Sequence, residues 1–475
     1  MDFISGSFLL FLLISIVVYY SIPKKGQRYW LLLIGVFFYL FASPKLSVFI
    51  ACSTVTSYLF ARYFQKSAAA YWFVLLGNAS VLLFLKLAGS GTFLASYLRI
   101  DRFAFLLPLG ISFYTLQMIA YMTDVRKGKI APEKNFLNYL LFVTYFPHVL
   151  QGPIPRFEQL AGQLTKEHKF DYATFVGGFQ LMVWGYFQKL VVADRAGIVV
   201  NRLFGEYETY TGMYVVVAAV LYGVQLYADF NGCFCIANGA SQMFGIHLAD
   251  NFKQPYLSGS VSEFWRRWHM SFGQWLRDYI YIPLGGNRKG KIRKYINILI
   301  TFFVSGIWHG IGSGFLIWGC LQGVYQVCGD LLAPVRDKAV GLLRVDRNAF
   351  SHKLFKVLCT YSLITYAWLF FRASTAGQAI SMTKNMISTF NPWILWDQSL
   401  YLLGIDAKNF WILIFGIVIM IAVDCLQRRM AIRQWFAGQG IVFRYVVLYL
   451  VIFAVLIFGI YGPGYDAAQF IYGGF

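Results

Sequence analysis

The sequence predicts an all-α protein that crosses a membrane many times. Of its 475 residues, 58% are hydrophobic and only 13% are charged, whereas soluble domains carry about a quarter charged residues. The hydrophobic residues also fall in runs close to the roughly 20 residues that a helix needs to cross a bilayer. Both observations exclude a water-soluble globular enzyme and a disordered chain. We therefore predict a polytopic bundle of about 10 to 12 transmembrane helices with re-entrant and interfacial segments.

The first apolar run, residues 3–20, predicts a retained span rather than a cleaved signal peptide. Asp2 stands where a signal peptide has Lys or Arg, and no small-residue cleavage site follows the run. Lys24, Lys25 and Arg28 come directly after it. Because basic residues accumulate on the cytoplasmic side, we expect an extracytoplasmic N-terminus.

Further apolar runs extend along the whole chain without an internal repeat of fixed period. They centre on residues 29–42, 45–62, 71–88, 104–123, 136–152, 174–193, 212–229, 295–310, 312–329, 354–371, 409–426 and 443–461.

The strong positive charge is interpreted as a membrane property. The net charge is +20, from 41 Lys and Arg against 21 Asp and Glu. In a multi-span protein such residues mark cytoplasmic loops and contact anionic lipid. We therefore expect contact with membrane lipid and no nucleic-acid partner. The seven Cys residues are interpreted as reduced, since only Cys233 and Cys235 lie close in the sequence.

Two segments, residues 107–114 and 146–156, interrupt the apolar runs with Pro and Gly. Proline removes a backbone donor and disfavours helix in the residue before it. Freed carbonyl groups are costly in lipid and persist where protein or a wet cavity covers them. Each segment is therefore either a kinked helix or the wall of a membrane-embedded cavity.

Residues 249–294 are the least membrane-like part of the middle of the chain. Residues 262–279 alternate Trp with Arg, which suits a helix at the level of the lipid headgroups. We therefore expect an interfacial segment over 249–294. It ends in a basic loop that is expected on the cytoplasmic side. The basic residues of this loop are Arg288, Lys289, Lys291, Arg293 and Lys294.

The start of this loop resembles a nucleotide-binding loop without completing it. Residues 285–291 read G-x-x-x-x-G-K, but Ile292 stands where Ser or Thr would bind Mg²⁺. A glycine-rich basic loop still attracts phosphates, which makes Arg288 and Lys289 candidate binding residues. The ligand is then either a cytoplasmic cofactor such as coenzyme A or anionic lipid.

The sharpest candidate for chemistry is a histidine inside an apolar run. His309 lies in residues 305–310, which read SGIWHG. It follows Lys294 by 15 residues, or about 22 Å of helix. An ionisable side chain at that depth is a functional candidate by default, and a neutral imidazole suits proton removal from a hydroxyl nucleophile. Ser305 lies one turn earlier on the same helix face. The alternative is a structural histidine bonded to a neighbouring helix.

Two further histidines are weaker candidates. His269 lies in the Trp-Arg segment, where an interfacial histidine suits a structural role equally well. His148 lies in the second Pro/Gly segment and ranks below it. No two histidines have H-x-x-x-H spacing and no acidic partner lies nearby, so we expect no metal site.

Together these motifs resemble the membrane-bound O-acyltransferase family, and most of all its alginate O-acetyltransferase membrane subunit branch. The resemblance rests on residues 263–271 (EFWRRWHMS), 277–288 (RDYIYIPLGGNR) and 306–310 (GIWHG). Further support comes from residues 146–156, 229–232 (DFNG) and 470–472. Residues 151–155 read QGPIP where that branch is expected to have AGPIV, which leaves the polymer open.

The resemblance implies a bundle around a central tunnel, with His309 as the catalytic histidine and His269 as the second histidine of the family. It implies one membrane-embedded domain with N-terminal spans in 1–125, a catalytic core in 136–329 and C-terminal spans in 353–475. The expected substrate-binding residues are Trp308, Ser305, Asn231, Asp229, Arg266, Arg288 and Lys289.

The resemblance also implies an activity in a bacterial cell membrane. An acyl group, expected to be acetyl, passes from acetyl-CoA or another cytoplasmic thioester across the membrane for O-acetylation of an exported polysaccharide. An extracytoplasmic SGNH-type acetyltransferase is the expected partner, and no bound cofactor is expected.

Other functions remain open from the residues alone. D-alanyl transfer to teichoic acid from a carrier protein belongs to the same family. A polytopic transporter would also use ionisable residues within broken helices, although the missing repeat counts against it. A structural scaffold for an export complex is the third alternative.

Overall fold

A computed structural model describes residues 3–106, 108–149 and 152–461. The regular elements in these ranges are all helices, which confirms the predicted all-α class. The chain forms two units, each with its own packing. The first comprises the residues up to 186 together with 230–250, and the second comprises 187–229 together with 251–461.

The first unit contains ten helices of its own among the described residues. They are α1 (Gly6–Ser21), α2 (Gln27–Ala42), α3 (Ser47–Leu59), α4 (Ala68–Ala88), α5 (Phe93–Tyr97), α6 (Ile111–Arg126), α7 (Phe136–Thr144), α8 (Phe146–Val149), α9 (Phe157–Thr165) and α10 (Tyr172–Tyr186).

In the first unit the two Pro/Gly segments lie against each other. Gly110 precedes α6 with a left-handed backbone (φ +71°), and a Cβ atom there would overlap the carbonyl oxygen of Val149. Only glycine fits both demands at that position. The irregular backbone is thus covered by protein, as the cost of exposed carbonyls in lipid requires. Leu107, Leu150 and Gln151 of these segments lie outside the described residues, as do residues 470–472.

The second unit contains the remaining helices and the predicted Trp-Arg segment. The helices of this unit among the described residues are α11 (Asp194–Gly205), α12 (Met213–Met243, whose last residues belong to the first unit), α13 (Val261–Arg267), α14 (Met270–Leu276), α15 (Gly290–His309), α16 (Ser313–Leu331), α17 (Ala333–Leu342), α18 (Phe350–Arg372), α19 (Ala376–Ser388), α20 (Ala407–Gln427), α21 (Ile432–Ala437) and α22 (Ile441–Phe458). Among the described residues, the π-helical segments are Phe60–Phe64, Phe187–Ala193 and Arg277–Tyr281.

Helices α15 and α16 form a hairpin whose close approach depends on two glycines. A Cβ atom on Gly306 would lie 2.6 Å from the carbonyl oxygen of Phe315, and one on Gly319 would lie 2.5 Å from that of Phe302. Small residues at facing positions allow two helix backbones to approach this closely. The hairpin therefore fixes the end of α15, where His309 lies.

By length and composition, five described helices qualify as membrane spans: α4, α12, α18, α20 and α22. A sixth arises if α16 and α17, bent by 50°, form one span. These spans support the multi-pass class, but they are fewer than the 10 to 12 crossings expected from the apolar runs. The physical reason is that several runs fold into short or broken helices, such as α7 and α8.

The Trp-Arg segment is not the single helix that its sequence suggested. It divides into α13 and α14, and His269 lies between them with a left-handed backbone at φ +45° and ψ +54°. Cys233 and Cys235, the two cysteines that lie close in the sequence, are both buried.

Candidate active site

His309 is the last residue of α15 and lies among aromatic rings. Only 4% of its surface is exposed. Its ring centroid lies 4.8 Å from that of Trp308, 5.1 Å from Trp318, 5.0 Å from Phe371 and 5.8 Å from Phe272. These rings exclude bulk water from the imidazole, which strengthens any electrostatic interaction that it makes with a substrate.

His269 is also buried, and Asn251 holds the chain around it. The backbone carbonyl of Asn251 accepts a hydrogen bond from the Met270 N–H at 2.9 Å. Its side-chain Oδ1 accepts from the Ser271 N–H at 3.0 Å and from the Ser271 hydroxyl at 2.9 Å. The first N–H groups of a helix have no acceptor within the helix, and the left-handed cap residue His269 supplies none here. Asn251 therefore accepts from the N–H groups of Met270 and Ser271 at the start of α14. These hydrogen bonds hold His269 in a left-handed backbone conformation that costs energy for a non-glycine residue.

The same contacts decide the tautomer of His269. A backbone N–H only donates, so the Asn251 atom that faces Ser271 must be the oxygen Oδ1. That oxygen also lies 3.3 Å from Nδ1 of His269, which must then carry the proton and donate. Burial lowers the pKa of His269 to about 3, so the ring is neutral at physiological pH. Nε2 consequently carries the lone pair and is the atom that can accept a proton.

A stacked aromatic pair lies between the two histidines. The rings of Phe272 and Trp308 stack at 4.2 Å with an interplanar angle of 29°. The Phe272 ring lies 5.1 Å from that of His269 and 5.8 Å from that of His309. The predicted residues His269, Trp308 and His309 are therefore brought together around Phe272, which the sequence motifs did not single out.

A cavity of about 520 Å³ opens beside His269. Its lining includes His269, Ser305, Arg266, Arg277 and Lys294. Lys294 pairs with Asp330 at 2.6 Å, whereas the arginines are exposed. The lining thus combines a neutral histidine and a hydroxyl with three cationic side chains, which suits an anionic ligand that carries a reactive group inward.

Of the predicted site residues, His269, Ser305 and Arg266 line the cavity, whereas Trp308 and His309 lie outside its lining. The two predicted binding residues of the basic loop also lie apart from it. Arg288 and Lys289 are exposed in the turn before α15 and are not among the residues that line the cavity. Arg277 and Lys294 take the position along the cavity instead. Arg277 belongs to the RDYIYIPLGGNR motif and Lys294 to the basic loop, but nothing in their spacing distinguished them from the neighbouring basic residues.

Asp229 and Asn231 have local partners. Asp229 is 1% exposed and accepts a hydrogen bond from the Lys189 ammonium at 2.6 Å, and the same ammonium lies 2.8 Å from Asp194. Asn231 belongs to the first unit, where its Oδ1 lies 3.9 Å from the Sγ of Cys235. The structure therefore favours a packing role for Asp229.

His148, the weakest of the three candidates, is buried in the first unit. Its Nε2 lies 2.9 Å from the carbonyl oxygen of Phe142, six residues earlier. This local bond ties α7 to α8 across the Pro/Gly segment. The geometry fits the structural alternative for this histidine.

Comparison with known proteins gives the class of this chain. Residues 131–348 match the model of the membrane-bound O-acyltransferase family. The chain is 34% identical over 404 residues to the probable alginate O-acetylase of Pseudomonas fluorescens, covering 83% of this chain and 77% of the relative. It is 31% identical over 407 residues to the peptidoglycan O-acetyltransferase of Helicobacter pylori, covering 76% and 73%. It is 27% identical over 238 residues to the teichoic acid D-alanyltransferase of Bacillus subtilis, covering 46% and 58%.

With its apolar helices, these similarities define a multi-pass membrane enzyme of the O-acyltransferase class. The chain belongs to the membrane-bound O-acyltransferase family, which confirms the resemblance seen in its motifs.

Proposed function

We propose that this protein takes an acetyl group from a cytoplasmic thioester, acetyl-CoA or another acyl thioester, and passes it across the membrane for O-acetylation of an exported or cell-surface polysaccharide. The observation that carries the proposal is the cavity that places three cations and His269 on one lining. The names of the alginate and peptidoglycan relatives support an acetyl group and a carbohydrate acceptor.

The cationic side chains bind the donor. Coenzyme A carries its negative charges on phosphates at one end and its thioester at the other. Arg266, Arg277 and Lys294 attract those phosphates, and Arg288 and Lys289 add positive potential around the neighbouring turn. The pantetheine arm then reaches along the cavity towards Ser305 and the Phe272–Trp308 pair. Arginine suits phosphate because its planar guanidinium makes paired hydrogen bonds.

The histidines carry the proton chemistry. His309 takes the proton of the acceptor hydroxyl while the hydroxyl oxygen forms a bond to the thioester carbonyl carbon. The carbonyl electron pair moves onto its oxygen to give a tetrahedral intermediate. When that intermediate collapses, the C–S bond breaks, the ester remains on the acceptor, and the thiolate takes up the proton. His269, whose Nε2 carries the lone pair, is the second base on this path.

The acceptor side requires a partner outside the membrane. We propose that an extracytoplasmic SGNH-type acetyltransferase receives the acetyl group on a hydroxyl and delivers it to the polysaccharide. The protein then belongs to a bacterial cell membrane, with its N-terminus outside, the basic loop in the cytoplasm and lipid around its apolar helices. No bound cofactor is needed for the chemistry above.

The test uses the full chain in nanodiscs with acetyl-labelled acetyl-CoA and a supplied polysaccharide or partner transferase. Free CoA and transferred label are counted for the unsubstituted protein, His309→Ala and His247→Ala. His247 is an exposed histidine and serves as the matched control. We expect turnover in the first and third proteins and a loss of at least about 10²-fold in His309→Ala, the lower end of what one general base contributes.

Other results redirect the proposal. Turnover only with a D-alanyl carrier protein would replace acetyl transfer by the function named for the Bacillus subtilis relative. Substrate flux without acyl turnover would support a transporter. Equal turnover in His309→Ala and the unsubstituted protein would remove His309 from the chemistry and move the test to His269.

A further inference from the structure

Beside His309, three buried side chains hold N–H groups without a hydrogen-bond acceptor. Trp318, Gln322 and Trp368 are each 0% exposed. Among the described residues, Trp318 Nε1, Gln322 Nε2 and Trp368 Nε1 have no hydrogen-bond partner. Buried donors nearly always have a partner in native proteins, so three in one place require an explanation.

The three side chains form one cluster next to the candidate base. The ring of Trp318 lies 5.1 Å from that of His309 and meets it edge-on at 88°. The ring of Trp368 stacks on Trp318 at 5.6 Å and 15°. Gln322 lies four residues after Trp318 on α16, which places both side chains on the same helix face.

Trp265 connects this cluster to the cavity and orients the Gln322 amide. Its Nε1 donates to Gln322 Oε1 at 3.0 Å, and its ring lies 5.7 Å from that of Trp318. Because an indole nitrogen only donates, the oxygen of Gln322 must face Trp265. The amide NH₂ group of Gln322 is therefore left as the donor. Trp265 itself lines the cavity, so the cluster lies directly behind the cavity wall.

The chemistry of the cluster selects its ligand. All three donors are neutral, and no cationic side chain belongs to the cluster. A phosphate or carboxylate buried there would lack a compensating charge. An acyl carbonyl oxygen needs only N–H donors, and it gains from them most when it carries the developing negative charge of a tetrahedral intermediate.

We propose that Trp318, Gln322 and Trp368 bind the carbonyl oxygen of the acyl thioester and stabilise it as an oxyanion during transfer. This inference rests on the proposed function and adds the group that receives the carbonyl electron pair. The acceptor oxygen bonds to the carbonyl carbon, the π pair moves onto the oxygen facing the three N–H groups, and the proton goes to His309. The pair returns as the C–S bond breaks, and the departing thiolate is protonated.

The first test removes the Trp318 N–H while keeping its ring. Replacement of Trp318 by 3-benzothienylalanine substitutes sulfur for the nitrogen and preserves the bicyclic shape. We expect kcat to fall by about 10²–10³-fold, the effect of removing one such donor, with KM little changed because the oxyanion forms only in the transition state. The thermal midpoint should stay or rise, since an unpaired buried donor has been removed.

A second donor variant and a control replacement make the test independent of the change at Trp318. Gln322→Glu retains an oxygen for Trp265 but removes the donor and adds negative charge, so kcat should also fall. The same benzothienyl replacement at Trp393, which is 50% exposed, is the matched control and should leave turnover unchanged.

The outcomes separate this inference from the proposed function. If the unsubstituted protein turns over and the Trp318 replacement stays within about 2-fold of it, the oxyanion assignment fails while the function stands. A midpoint that falls together with kcat would assign Trp318 a structural role and would also overturn the inference. If the unsubstituted protein shows no turnover with any thioester, the proposed function fails and the inference falls with it.

Discussion

The side-chain oxygen of Asn251 lies 3.3 Å from Nδ1 of His269. This relationship joins a loop residue to a histidine 18 positions later and fixes which ring nitrogen can act as a base. No helix sets this geometry, because Asn251 lies in a loop and His269 lies at the break between α13 and α14. The consequences are measurable.

Asn251→Ala should lower the rate of acyl transfer by roughly 10²-fold, because small displacements of a catalytic group cost about that much. Asn251→Asp keeps an oxygen for Ser271 but places a carboxylate beside Nδ1. A carboxylate favours the protonated imidazole, so the acid limb of the pH–rate profile should move to higher pH. The pH–rate profiles of both variants are the measurement.

Ser271→Ala is the control for the Asn251 prediction, since it removes one hydroxyl donor and leaves the contact between Asn251 and His269. Its profile should keep the unsubstituted shape. An unmoved acid limb in Asn251→Asp, with lower stability in both Asn251 variants, would assign Asn251 a structural role only.

Stability should fall in acid because of His269. The folded protein keeps this ring neutral down to a pKa of about 3, whereas an unfolded histidine takes up a proton near pH 6.5. Between those values the unfolded state binds more protons, so stability decreases as the pH falls, by about 1.4 kcal/mol per pH unit. Above pH 6.5 this group contributes no pH dependence.

The measurement compares unfolding free energies in detergent between pH 8 and pH 5 for the unsubstituted protein and His269→Gln. Below pH 6.5 the unfolding free energy of His269→Gln should fall less steeply with decreasing pH, by the slope that one bound proton contributes. The difference between the two curves then separates the effect of His269 from that of other buried groups. Parallel curves for the two proteins would contradict this assignment.

Gly306→Ala and Gly319→Ala should separate α15 from α16. Each new methyl group would meet a backbone carbonyl oxygen at 2.6 Å or 2.5 Å, and backbone has little freedom to move away. Overpacking of this kind costs about 1–3 kcal/mol and should also displace His309, so both the thermal midpoint and turnover should fall. Midpoint and rate are measured on the same preparation.

Gly329→Ala, on the same helix α16, is the matched control because nothing lies within 4 Å of the added methyl group. It should leave the stability unchanged or raise it by up to about 1 kcal/mol, since alanine is the better helix former. Equal losses of thermal midpoint and turnover in all three variants would show that the close approach of α15 and α16 does not cause them.

Lys189→Met should destabilise the second unit. It removes the cation that lies 2.6 Å from Asp229 and 2.8 Å from Asp194, and Asp229 is 1% exposed. Breaking a buried ion pair from one side costs about 3–5 kcal/mol, because the remaining charge loses its partner. The free energy of unfolding in detergent is the measurement.

The double variant Lys189→Met/Asp229→Leu removes the more deeply buried carboxylate as well and should recover the part of the loss that Asp229 causes, while Asp194 still lacks its cation. Activity should recover with it if Asp229 has only a packing role. A stable double variant that transfers no acyl group would instead return Asp229 to the substrate-binding residues.

The fold class followed from the sequence because it depends on composition and local periodicity. Long apolar runs with few charges specify helices in a membrane, and the position of His309 at the end of α15 agrees with the run that contains it. The course of each run did not follow, since an apolar run has the same composition whether it forms one helix or breaks, as residues 136–149 do between α7 and α8.

The candidate site was predictable in part for the same reason. His309, His269, Trp308 and Ser305 stand in local motifs, so the sequence alone identified them. Asn251 acquires its role because the chain leaves the helical path at His269, and Phe272 acquires its role because its ring stacks on Trp308. Arg277 was one basic residue among several until the cavity distinguished it.

The sequence by itself thus determined an all-α membrane protein, its family and its two candidate histidines, because residue type and spacing carry that information. Only the tertiary structure decided the tautomer of His269, the pairing of Asp229 with Lys189, and the donors around His309. Those features arise from distances between residues far apart in the chain, as Trp265 and Gln322 illustrate with their 3.0 Å bond across 57 positions. Local sequence contains no measure of such distances.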